Sequence, residues 1–159
     1  MSYDALRSGR CSLLHHVYCI TTVIRNRQSI FTDITSARLL IHELRQLHEA
    51  EIVNSLAWVV MPDHLHWMIQ LQDSWPLSRV VKTVKARSAL TINAHLERHG
   101  SLWQRAYYDR AMRNDEDVRQ IARYIVANPL RRCLVQEIGH YPHWDCIWMS
   151  GNDQMPLVD

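Results

Sequence analysis

An α+β fold is predicted by three features of the chain. The runs Val17–Ile24, Ile52–Val60 and His64–Leu71 are rich in β-branched and apolar residues and have strand length. Two stretches with apolar residues at helical spacing separate or follow them: Ile34, Ala37, Ile41 and Leu44, then Leu77, Val81, Val84 and Ser88. A further extended segment, Leu102 to Met112, closes the series. Strand, helix, strand, strand, helix, strand-like segment is the order of a ferredoxin-like βαββαβ core, an antiparallel sheet with helices packed on one face. An extra C-terminal helix follows. The length of 159 residues suits one domain over 1–159, with about 1–14 as an N-terminal arm and about 135–159 as a tail.

Each element has a local reason. Residues up to Leu14 lack periodicity but carry Arg7 and Arg10. Arg25-Asn26-Arg27 reads as a basic loop after the first strand, and Thr32 or Asp33 can cap the helix that follows. Met61-Pro62-Asp63 reads as the tight turn between the second and third strands. Pro76 suits the start of the second helix, which is expected to run toward His99 and stop at Gly100. Asn114-Asp115-Glu116-Asp117 combines a capping residue with acids at a positive helix end. That helix is expected to run to about Asn128, before Pro129.

Composition narrows the class. Hydrophobic residues make up 47% and charged residues 21%, as in an ordinary globular protein. No apolar run is long enough to span a membrane, and the N-terminus lacks a signal-peptide pattern. Cys11, Cys19, Cys133 and Cys146 form no CxxC pair, so a reducing cytoplasm is the expected setting. The net charge of +2 is unevenly spread. Arg79, Lys82, Lys85, Arg87, Arg98, Arg105 and Arg110 face only Glu97 and Asp109 in their window, a local surplus of five. Such a zone fits a bound polyanion or a solvated helix face equally well. Trp103 to Arg110 interleaves aromatics with arginines, which suits stacking on unpaired bases but equally an edge strand.

The stretch around which these features gather is Met61 to Ile69. Successive strand side chains point to opposite faces, so His64 and His66 share one face while Leu65 and Trp67 share the other. Two residues of rise separate the histidines by about 6.6 Å, within reach of one metal ion. A bare His-x-His is often no more than a pair of exposed histidines. Here the pair opens a strand whose other face is apolar. On the last helix, Tyr124 and Asn128 lie one turn apart on one face. A tyrosine there is more often packed than nucleophilic.

These residues carry a resemblance. Met61-Pro62-Asp63-His64-Leu65-His66 resembles the His-hydrophobic-His motif of the HUH single-strand transposases. Tyr124-Ile125-Val126-Ala127-Asn128-Pro129 resembles their single-tyrosine helix. Trp103 to Arg110, then Asn128-Pro129-Leu130-Arg131-Arg132, Leu134-Val135 and Tyr141-Pro142, follow the order of the REP-associated tyrosine transposases. The similarity runs from about His16 to Trp144. It departs near the end, where Pro142-His143-Trp144-Asp145 stands in place of the more usual Pro-Trp-Ser-Ser.

The resemblance implies a nicking and joining enzyme for single-stranded DNA. It assigns Tyr124 as the nucleophile on the extra helix, with His64, His66 and Asn128 holding a divalent Mg²⁺ or Mn²⁺ ion. It implies a hairpin from a repetitive extragenic palindrome, with an unpaired tetranucleotide beside it, as the DNA partner. No membrane partner is implied, and the chain would act in the nucleoid as a monomer or homodimer. Candidate DNA contacts are Arg7, Arg10, Arg25, Arg27, Arg79, Lys82, Lys85, Arg87, Arg105, Tyr107, Tyr108 and Arg110. Two rival readings are a non-catalytic hairpin-binding protein and an RNA-binding module. The aromatic strand motif usual in the latter is absent.

Overall fold

The computed structural model describes residues 12–113 and 117–149. Arg7, Arg10, Tyr3 and the acidic run Asn114–Glu116 lie outside them. The elements in chain order are β1 (Val17–Val23), α1 (Ile34–Glu49), β2 (Val53–Met61), β3 (His64–Leu71), α2 (Leu77–His95), β4 (Tyr108–Ala111), α3 (Val118–Val126), α4 (Asn128–Arg131) and β5 (Trp144–Cys146). The sheet order is β4-β1-β3-β2-β5, and every pairing is antiparallel. The first four strands in that order are the expected ferredoxin-like core. Among the described residues no helix is long and apolar enough to cross a membrane.

Side-chain alternation builds two cores on one sheet. Leu65, Trp67, Ile69 and Leu71 of β3 enter the larger cluster, with Ile20 of β1 and Val60 of β2. Leu40 and Leu44 of α1, and Val80, Val81, Val84 and Ile92 of α2, cover that face. On the opposite face Ala57, Val59 and Met61 of β2 and Met68 of β3 pack under Ala122, Ile125 and Val126 of α3. A register shift between Ser55 and Ala57 breaks the alternation of β2 and adds Leu56 to this second cluster. The bulge also brings Ser55 Oγ to Trp67 Nε1, 2.8 Å away, so the buried indole N–H is satisfied.

Of the two expected capping candidates, Asp33 is the one that caps α1, accepting from Ser36 N at 2.8 Å. The limits of other elements differ from expectation. Helix α2 stops at His95, ahead of Gly100. Glu97 takes the left-handed conformation (φ 53°), Arg98 N bonds back to Asn93 O and Glu97 N to Ala94 O, a Schellman closure made without glycine. Helix α3 is capped by Asp117, which accepts from Arg119 N and Gln120 N. Its axis ends at Val126, and Pro129 opens α4 within two residues instead of terminating the helical path. The regular part of the extended segment is only β4, with Trp103 adding an isolated bridge to Ile24. The tail contributes β5, which pairs with β2.

Replacing Ser55 with Ala strands the Trp67 N–H in a dry core, so the variant is expected to lose about 1–3 kcal/mol in urea unfolding. The same change in a Trp67→Phe background is expected to cost much less, because no donor is then left unpaired. Equal losses in the two backgrounds would refute the assignment.

Candidate active site

The β2–β3 turn is fixed from outside. Ile24 N donates to Asp63 O at 2.9 Å, and Phe31 N donates to Pro62 O at 3.0 Å. The end of β1 and the approach to α1 therefore hold the turn that aims His64. As expected, His64 and His66 share a sheet face, opposite Leu65 and Trp67, and it is the face on which α3 packs. Their rings meet edge to face, with centroids 4.8 Å apart. His64 is buried and His66 half-buried.

Each ring has one nitrogen engaged. His64 Nδ1 lies 2.6 Å from Asp63 Oδ1, and His66 Nδ1 lies 2.8 Å from Thr21 Oγ1, directly across the β1–β3 ladder. Such partners fix ring orientation and leave Nε2 as the nitrogen available to another group. Burial, then the neighbouring His64, then Arg131 and Arg132, push the His66 pKa down to about 4, so its ring is neutral at physiological pH. Burial works against the Asp63 charge. Hydrogen bonds and charge from His64 and Arg27 outweigh it and hold the carboxyl below its ordinary range. Arg27 Nη1 is 3.4 Å from Asp63 Oδ2. Among the described residues no three His, Cys, Asp or Glu side chains gather as a metal site. Asn128 lies half-buried at the start of α4.

The tyrosines separate by exposure. Tyr18 is buried, and its hydroxyl accepts from Leu13 N. The Tyr141 hydroxyl donates to Val60 O, and burial pushes its pKa up to about 12. Tyr107 packs against the larger core. Tyr108 and Tyr124 are each 60% exposed, and Tyr124 is the one on the helix over the histidine face. The Arg131 guanidinium lies over the Tyr124 ring, 3.7 Å from its centroid.

The basic candidates divide into separate places. Lys85 Nζ donates to the carbonyls of Gln104, Arg105 and Ala106, stapling the segment before β4 to α2. Arg79 stacks on Trp75 at 3.8 Å, and with Lys82 and Arg87 it lines a groove of about 640 Å³ along α2. Arg25 and Arg105 line a hollow of about 470 Å³ with Trp103 and Gln104. Tyr108 and Arg110 stand on β4, and Arg98 bonds Asn93 and Gln28. Sequence reasoning missed Thr21, Asp63 and Arg131 as neighbours of the site. Asp63 could have been found as the residue preceding His64. Thr21 becomes visible only through strand register, and Arg131 only through the break between α3 and α4.

The family described as "Transposase IS200 like" matches residues 12–128, well over half of the chain. The chain belongs to this transposase family. Within it, the chain is 27% identical to the REP-associated tyrosine transposase of Escherichia coli strain K12 over 124 residues, 77% of this chain and 71% of that one. A solved REP-associated tyrosine transposase bound to a REP hairpin superposes with a TM-score of 0.72 at 24% identity, covering 85% of this chain and 79% of the other. A crystal structure of a Deinococcus radiodurans protein gives a TM-score of 0.54 at 24% identity, over 74% and 93% of the two chains. These structural likenesses speak for the fold. His64, His66 and Tyr124 all lie inside the span matched to this transposase family.

The depressed His66 sets a pH dependence. Its unfolded value is 6.5 and its folded value about 4, so the unfolded chain binds the extra proton first. Stability from this group is intact above pH 6.5 and falls as pH drops toward 4. The loss is on the order of 3 kcal/mol in metal-free protein, at about 1.36 kcal/mol per pKa unit. Urea unfolding of wild type between those pH values should show this slope, and His66→Gln should flatten it.

Proposed function

We propose that this transposase-family chain is a metal-dependent single-stranded DNA endonuclease and strand transferase that binds REP-type hairpins. Cleavage runs through a covalent bond to Tyr124. The observation that carries this reading is the histidine pair with both Nδ1 atoms engaged, on the sheet face that the Tyr124 helix covers. The relatives named above support the choice of DNA partner.

The donor set suits a divalent ion. His64 and His66 each keep Nε2, His66 is neutral, and the Asn128 amide oxygen would serve as the third ligand. Bound there, magnesium or manganese would polarise the scissile phosphate and offset the charge that develops on it. Asp63 and Thr21 keep the two imidazoles from rotating. The Tyr124 hydroxyl loses its proton to water and its oxygen attacks phosphorus in line. The bond from phosphorus to the 3′ oxygen breaks, and that oxygen leaves as a protonated 3′-hydroxyl. The 5′ phosphate stays on Tyr124 as a diester, and a second 3′-hydroxyl reverses the step. No net phosphodiester bond is lost, so ATP is not required. Arg79, Lys82 and Arg87 hold the hairpin backbone along α2. Arg25, Arg105, Tyr108 and Arg110 contact the unpaired flank. Lys85 acts indirectly, by fixing the segment before β4.

Metal dependence is checked with a hairpin carrying its unpaired flank. Cleavage is expected to need Mg²⁺ or Mn²⁺, and the double change of His64 and His66 to Ala should abolish it while hairpin affinity is mostly retained. Thermal melting controls for the loss of a buried imidazole. Full cleavage in excess EDTA refutes the metal.

The nucleophile is checked by trapping. Wild type mixed with that hairpin should give a protein–DNA adduct that survives denaturation, and the fully paired duplex should give little. Peptide mapping is expected to find the DNA on Tyr124, and Tyr124→Phe should remove the adduct while keeping hairpin binding. An adduct of undiminished yield in that variant moves the chemistry to another residue, Tyr108 first.

A further inference from the structure

Tyr124 poses a positioning problem. It is 60% exposed on the last full turn of a nine-residue helix, so its own packing does little to choose a rotamer. An in-line attack needs the oxygen within a few tenths of an ångström of one place. Something must hold the ring, and the Arg131 guanidinium lies against it.

The contact is built by the break between α3 and α4. In a continuous helix the carbonyl of Tyr124 accepts from the N–H four residues on. Here the chain turns at Ala127, whose carbonyl accepts from both Leu130 N and Arg131 N. Pro129 sits in the first turn of α4, where its missing N–H does no harm. This turn brings Arg131 back over α3. Its Nη1 donates to the Tyr124 carbonyl, and its guanidinium carbon lies 3.7 Å above the centre of the Tyr124 ring. One group therefore grips both the backbone and the ring of the same residue. Among the described residues no carboxylate pairs with Arg131, so no ion pair draws it away. A planar guanidinium can stack and donate at once, whereas an ammonium offers a single point charge.

We propose that Arg131 is a positioning residue for the transfer reaction, a two-point clamp that fixes the orientation of the Tyr124 phenol. This rests on the reading of Tyr124 as nucleophile. On this reading Arg131 acts on the chemical step and not on hairpin capture. Because Arg131 is exposed, replacing it does not open the core.

Single-turnover adduct formation at saturating hairpin separates these effects. Arg131→Met keeps the length of the side chain and removes the cation and its donors. It is expected to slow the step by about 10- to 100-fold, with hairpin Kd, its salt dependence and the melting temperature unchanged. Arg131→Lys should recover part of the rate, and methylguanidinium should partly rescue Arg131→Ala. An unchanged rate in Arg131→Met overturns the proposal. So does a weaker Kd with a shallower salt slope and an unaltered rate at saturation, which would make Arg131 a phosphate contact. A lowered melting temperature with recovery by neither Lys nor methylguanidinium would make it a structural cap, and overturns the proposal too. Tyr124→Phe distinguishes the levels. If that variant forms no adduct while Arg131→Met is fully active, the clamp alone falls. If it forms adduct normally, the reading of the nucleophile falls and takes the clamp with it.

Discussion

The period of two along β3 is the constraint on which the rest depends. Leu65, Trp67, Ile69 and Leu71 are each about 1% exposed or less, so this face of the strand cannot slip by one residue without turning four large side chains toward the other side. Burying one such side chain is worth about 1.5–3 kcal/mol, so the register is strongly specified. His64 and His66 inherit that certainty. Their place on the opposite face is a by-product of the core, and it needs no stabilisation of its own.

Orientation is a separate matter from placement, and it is supplied by neighbours. Ladder pairing puts Thr21 opposite His66, and the turn puts Asp63 beside His64. Both contacts use Nδ1. The outcome is two rings held edge to face with the same nitrogen committed on each. Arg27 adds a charge behind Asp63, which shows how a residue that reads as a DNA contact in sequence also serves the support of a histidine. Lys85 makes the same point more strongly. From charge patterning it belongs to a phosphate-binding stripe, yet its ammonium sits among three backbone carbonyls.

What could be read in the sequence follows from which forces are local. Strand alternation and helical spacing are written in short windows, so β1, α1, β2, β3 and the histidine face were legible. Resemblance over ordered motifs supplied the family. Contacts that need two distant segments were not legible. Thr21 and His66 are 45 positions apart and meet only through register. β5 was missed because Trp144–Cys146 is too short to show a period, and it becomes a strand only because β2 offers an open edge. The end of α2 was misread because Gly100 looks like a stop. The closure at Glu97 is instead made by backbone bonds that any residue can form if it tolerates a positive φ.

Helix α3 shows why Tyr124 and the histidines stay in step. A nine-residue helix is marginal alone, so most of its stability comes from packing rather than propensity. Ala122, Ile125 and Val126 provide that packing against Met61 and Met68. Met61 and Met68 flank the histidine pair on the same face of β2 and β3. The surface that keeps α3 folded is therefore continuous with the surface that carries His64 and His66. Tyr124 lies one residue before Ile125, so its backbone cannot drift along the sheet unless Ile125 and Val126 leave their sites. Backbone position is thus set by apolar burial, which is non-directional and tolerant of small rotations. Ring direction is left to the directional contact with Arg131. The two kinds of force act on different degrees of freedom: burial fixes where the phenol starts, and the guanidinium fixes where it points.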